Sequence, residues 1–200
     1  MSALRVEDVT VGFGGRLALD GVTLAAEPGT ITGLIGPNGA GKTTLFNVIC
    51  GLQPCTGGLV HIGGRDVTAL PPFKRARHGL ARTFQRLELF GLLTVRENVR
   101  LAAQVAGAAA PDATTDALLG RLGIAQLAEA RADRLPTGQA RLVELARAVA
   151  TDPTVLLLDE PASGQDEPET AAFADVLREV ATDGVAVVLV EHDVQLVMDV

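Results

Sequence analysis

Gly36-Pro37-Asn38-Gly39-Ala40-Gly41-Lys42-Thr43 satisfies G-x-x-x-x-G-K-[ST], a spacing built for phosphate. Glycines at these places let the backbone turn so that successive N–H groups share one concavity and meet phosphate oxygens. Lys42 can reach the outer phosphates, and the Thr43 hydroxyl can ligate Mg²⁺. Gly36, Pro37, Asn38, Gly39, Ala40, Gly41, Lys42, Thr43 and Thr44 are the candidate nucleotide contacts. Two acids extend this chemistry. The apolar run at 155–158 ends in Asp159-Glu160, where Asp159 would hold Mg²⁺ and Glu160 would orient and deprotonate an attacking water. A second apolar run at 185–190 ends in Glu191-His192-Asp193, which brings His192 toward the same edge, near a γ-phosphate. Gln85, after Arg82-Thr83-Phe84, is an uncharged side chain at another strand end that can touch metal or water. Glu160, His192, Lys42 and Gln85 are thus the candidate catalytic groups. Thr43, Gln85 and Asp159 are the candidate metal ligands.

Short elements must bring these groups together. An apolar strand at 30–35 precedes the loop, and a helix at 44–50, ended by Gly51, follows it. Rough alternation predicts strands at 6–13 and 21–26, and a further strand at 59–62 after a Gly-Gly turn. Pro71-Pro72 leads into the basic stretch from Lys74 to Arg82, which reads as a solvated face, with a strand at 80–84. From 94 to 150 the pattern is helical and alanine-rich. It opens on the capping box Thr94-Val95-Arg96-Glu97 and is broken at Pro111-Asp112 and again at Gly120 and Gly123. A strand at 154–158, a helix at 167–182 and a strand at 185–190 complete the alternation. Such alternation predicts an α/β fold with a mainly parallel sheet, whose ligands bind beyond the carboxyl ends of the strands.

Composition sets the outer bounds. The chain has 200 residues, 48% of them hydrophobic, enough for one α/β domain with a sizeable core. A net charge of −7 argues against a protein that wraps nucleic acid through overall charge. The apolar runs are far too short to cross a bilayer, and the N-terminus lacks the apolar core of a signal peptide. Membrane association would therefore be borrowed from a partner. Cys50 and Cys55 fit no metal or redox spacing and read as free thiols of a reducing cytosol, while His61, His78 and His192 are scattered.

The ordered set comprising the 36–43 loop, Gln85, Leu135-Pro136-Thr137-Gly138-Gln139, the 155–160 strand, Ser163-Gly164-Gln165-Asp166 and His192 resembles an ATP-binding cassette ATPase over essentially the whole chain. The stretches 13–19, 33–47 and 79–85 are similar to the ATPase subunits of branched-chain amino-acid importers, and Ala81-Arg82-Thr83-Phe84-Gln85 is the most discriminating of them. The resemblance implies a phosphate-loop NTPase fold in a single domain, 1–200. Its core (about 1–88 and 140–200) would carry an N-terminal antiparallel β subdomain, and a helical subdomain would be inserted at about 89–139. It implies ATP and Mg²⁺ as cofactors, and Phe13 stacked on adenine. It implies head-to-tail pairing with a second cassette, identical or related, in which Thr137, Gly138, Gln139 and Asp166 act across the interface. It also implies integral membrane permease subunits as partners and, indirectly, a solute-binding protein, with the chain peripheral on the cytoplasmic face of the membrane. No nucleic acid is expected. A permease would dock in a groove near Gln85, and the basic stretch would lie beside it.

The chain departs from the family pattern in three places. The usual Leu-Ser-Gly-Gly-Gln reads Leu135-Pro136-Thr137-Gly138-Gln139, so that Pro136 removes a hydroxyl and an N–H, and Thr137 adds a Cβ. Gln165 stands where leucine is usual before Asp166, and the chain ends soon after His192, short for the family. Other readings are an exporter ATPase for lipid or polysaccharide, a soluble cassette ATPase acting on nucleic acid or ribosomes, and a binding-only regulatory cassette.

Overall fold

The computed structural model describes residues 2–191 and Val197. Among these residues the strands form two sheets. The first is antiparallel and joins β1 (Leu4–Phe13), β2 (Arg16–Ala26), β4 (Gly57–Ile62) and β5 (Arg65–Asp66) in the order β2-β1-β4-β5. The second joins β3 (Ile31–Ile35), β6 (Leu80–Arg82), β7 (Val155–Asp159) and β8 (Ala186–Glu191) in the order β3-β8-β7-β6, every pair parallel. The helices are α1 (Lys42–Cys50), α2 (Pro72–Arg77), α3 (Val95–Ala106), α4 (Pro111–Arg121), α5 (Thr137–Val149) and α6 (Glu167–Thr182).

Period-two alternation in the parallel strands divides the core. Val155, Leu157, Ala186, Val188 and Val190 face α1 and the antiparallel sheet. Leu156, Leu158, Val187 and Leu189 face α5 and α6. A third cluster lies among α3, α4 and α5. Helix α5 contributes to both of the last two through opposite faces, Leu145 and Ala148 in one and Val143, Ala146 and Ala150 in the other.

Local signals explain most boundaries. Thr94 and Glu97 close the expected capping box on α3, and Asp166 with Glu169 makes a second one on α6. Pro72 and Pro111 sit in the first turns of α2 and α4, where a missing N–H costs nothing. Gly120 does not break α4, which runs through it to Arg121 because leucines 118 and 119 are held in the third cluster. Both cysteines are free.

The basic stretch is a solvated face only in part: Lys74 and Arg77 are exposed, while Arg75 and Arg82 turn inward. Arg75 is 3% exposed and donates to the carbonyl oxygens of Val48, Ile49, Thr68 and Leu70 at 2.6–2.9 Å. A guanidinium carries enough donors to gather four carbonyls at once, and here it closes the last turn of α1. Arg82 also points inward and is 7% exposed.

Candidate functional site

Parallel pairing sends the carboxyl ends of four strands to one edge. The phosphate loop leaves β3 there, and Arg82, Asp159 and Glu191 end β6, β7 and β8. Gly39 and Gly41 turn the loop through φ of 83° and 91°. A Cβ on Gly41 would lie 2.6 Å from the Ala18 carbonyl oxygen, so glycine also permits the approach to β2. Lys42, the first residue of α1, donates through Nζ to the carbonyls of Gly36 at 2.5 Å and Pro37 at 3.1 Å. The ammonium is folded over its own loop, where phosphate oxygens would compete for it. No side chain caps α1, which leaves the partial positive charge of its N-terminus to the loop. Thr43 is exposed and Thr44 half-buried in the first turn. Phe13 ends β1 with its ring 52% exposed.

The acids sit at the end of β7 in contrasting settings. Asp159 is 4% exposed and its Oδ2 accepts from Arg82 Nη2 at 2.8 Å. Glu160 turns into the left-handed region at φ 49°, its N–H donating to the Val190 carbonyl at 2.9 Å. A non-glycine residue held there costs on the order of 1–3 kcal/mol, a strain that tends to collect at functional sites. The turn brings the Glu160 carboxylate to Gln85, whose Nε2 donates to it at 2.8 Å. The Thr43 hydroxyl, the Asp159 carboxylate and the Gln85 amide oxygen are hard donors of the kind magnesium takes alongside phosphates and waters. Among the described residues no group of three or more His, Cys, Asp or Glu forms a cage, so a cation here would depend on phosphate oxygens to fill its shell. His192 lies outside the described residues.

Beside Gln85 a groove of about 1070 Å³ opens between α2, β6, α3 and α5. Phe73, Phe84, Phe90, Leu101 and Val105 line it with exposed apolar surface, and Arg77 and Arg147 each lie over a ring, Phe73 and Phe90 respectively.

A family model described as ABC transporter matches residues 19–163. The chain belongs to the ABC transporter family. It is an ATP-binding and ATP-hydrolysing cassette of that family. It is 37% identical to the high-affinity branched-chain amino acid transport ATP-binding protein BraF of Pseudomonas aeruginosa, over 98% of this chain and 84% of that protein. Identity to LivG of Escherichia coli, of the same description, is 36% with the same coverage. The methionine import ATP-binding protein MetN of Cereibacter sphaeroides is 38% identical over 98% of this chain and 58% of its own length. Among solved structures, the ADP conformation of MJ1267, an ATP-binding cassette of an ABC transporter, superposes with a TM-score of 0.89 at 30% identity, covering 100% of this chain and 84% of that one. No described helix of the cassette is long and apolar enough to cross a membrane.

In the cassette, the altered segment begins α5. Pro136 is its N-cap and offers no side-chain bond, Thr137 is exposed in the first turn, and Gln139 is half-buried. Gly138 is buried, and a Cβ there would meet the Glu169 carboxylate at 2.6 Å. Asp166 is engaged locally, its Oδ1 accepting from the Glu169 N–H at 2.8 Å.

Sequence reasoning passed over the side chains that tie these pieces together. Arg141, 6% exposed, donates to the carbonyls of Phe84 at 3.0 Å and Gln85 at 2.6 Å and pairs with Glu144 at 3.1 Å. Glu144 in turn accepts from the Glu88 N–H at 3.2 Å, and Arg147 donates to the Glu88 carbonyl. Residues 141, 144 and 147 thus bind one face of α5 to the segment carrying Gln85. Burial raises the Glu144 carboxyl above its usual range, against the pull of Glu88 and Arg141, and lowers the Arg147 guanidinium. The only hint in the sequence was their three-residue spacing.

Proposed function

We propose that this cassette is the ATPase subunit powering an importer of branched-chain amino acids or similar solutes. The observation that carries the cargo is likeness to BraF and LivG along nearly the whole chain. Lys42 would exchange the Gly36 and Pro37 carbonyls for outer phosphate oxygens, while the loop amides and the α1 N-terminus add positive field. Thr43, Asp159 and Gln85 would hold Mg²⁺, which when bound offsets phosphate charge. Glu160 would take the proton of the attacking water, and Gln85, bonded to it beforehand, would report nucleotide arrival. His192 would contact the γ-phosphate and Phe13 would stack on adenine. Thr137, Gly138, Gln139 and Asp166 would act on nucleotide held by a second cassette. The helical subdomain at about 89–139 would move with that pairing.

The groove is the docking site proposed for a permease segment, one with apolar side chains for Phe73, Phe84 and Phe90 and an acid for Arg77. Such docking would keep the chain peripheral on the cytoplasmic face of the membrane. The cargo is tested by expressing the chain with its own permease subunits in cells lacking branched-chain uptake. Restored leucine uptake, abolished by Lys42→Ala, is expected. Methionine uptake without leucine uptake would overturn the cargo.

A further inference from the structure

The Arg82 guanidinium stands where three segments of the site meet. It bonds Asp159 at the end of β7 through Nη2 at 2.8 Å and Asn47 of α1 through Nη1 at 2.7 Å. The ring centres of Phe46 and Phe84 lie 5.5 and 4.8 Å from its central carbon. The paired side chains are 7% and 6% exposed. A guanidinium anchored on a second acceptor and flanked by two rings keeps its place, so Asp159 Oδ2 stays occupied. Among the described residues Oδ1 accepts no hydrogen bond, and it is the oxygen left for a cation.

Charge strengthens the point. Of the acids at this edge, Asp159 is shared with Arg82 at 2.8 Å and Glu191 accepts from the Ala162 N–H at 3.1 Å, so a dication arriving alone meets carboxylates already engaged. Nucleotide phosphates would bring further negative charge and oxygen ligands with the cation. We propose that Arg82 is a positioning residue that denies Asp159 to free divalent cations and reserves its second oxygen for a cation arriving with phosphates. An ion pair serving only the fold would strengthen the protein without setting this order. The inference rests on the reading of Asp159 as a metal ligand.

Mn²⁺ binding to the full chain, followed by the paramagnetic signal of the free ion, tests it without turnover. Without nucleotide, Arg82→Gln is expected to bind Mn²⁺ about tenfold more tightly than the unaltered chain, and Arg82→Lys, which keeps the charge, to stay within about twofold. Asn47→Ala, which frees one side of the guanidinium without stranding a charge, is expected to gain about two- to fivefold. An equal gain in Arg82→Lys and Arg82→Gln would overturn the proposal, as would no gain in Arg82→Gln. Should Arg82→Gln fail to fold, no gain in Asn47→Ala overturns it. With ADP present, Asp159→Asn must weaken Mn²⁺ binding; if it does not, the metal-ligand reading fails instead.

Discussion

At Lys42 and Glu160 the chain holds, against its own backbone and side chains, the groups proposed to react. The Lys42 ammonium rests on two carbonyls, and the Glu160 carboxylate on Gln85. Each contact is one that a phosphate or a water can replace, so in the proposed reaction the groups would be placed before nucleotide binds and little reorganisation would be needed. Lys42→Ala removes a charge-assisted bond worth about 1.5–3 kcal/mol, which is roughly 10- to 150-fold in nucleotide affinity. Calorimetry with Mg-ADP should show that loss, while the unfolding midpoint moves little because the ammonium touches only its own loop. Unchanged affinity would mean that the loop is not the phosphate site.

Helix α5 is the element that makes the site one body. Its N-terminal turn carries Thr137 and Gly138, and one turn further on Arg141 grips the carbonyls of Phe84 and Gln85. Removing the arginine strands the Glu144 carboxylate in the interior, so Arg141→Ala should destabilise by about 3–5 kcal/mol. Arg141→Met with Glu144→Met should regain part of that in urea unfolding, because no carboxylate is left stranded in the interior; full additivity would deny the coupling. Elements with local causes were legible beforehand. Helix α6 runs over the expected residues because a capping box and an apolar period mark it, and β7 and β8 fall within one residue of their apolar runs. The inward arginines were not legible. Arg75 reaches carbonyls 26 and 27 residues away, and Arg82 meets an acid 77 residues on. Within a run rich in arginine and lysine, no local period separates such side chains from solvated ones. Gly120 misled for a related reason, since packing against leucines outweighs a propensity cost of about 1 kcal/mol. The phosphate loop and the Asp-Glu strand end were recognisable because the function proposed for them demands fixed residue types at fixed spacing. The clamp on Gln85 was not, because it joins α5 to a segment more than fifty residues earlier.

Over the whole molecule, one edge of the parallel sheet collects the groups proposed to handle phosphate, and the groove proposed for docking lies apart from them, beside Gln85. The two share the 82–90 segment, so docking in the groove and nucleotide at the edge would act on the same stretch of backbone. The Pro136-Thr137 change falls on residues proposed to meet a second cassette. Gly138 lies under the Glu169 carboxylate, which would have to move aside for a partner's nucleotide to reach the start of α5. The proposed pairing then brings two copies of this cassette together on ATP. It is tested by the light-scattering mass of Glu160→Gln, in which bound ATP should persist, measured with and without Mg-ATP. A rise from 20.7 kDa to twice that value is expected when Mg-ATP is added. A mass that stays at the single-chain value while ATP is bound would contradict it.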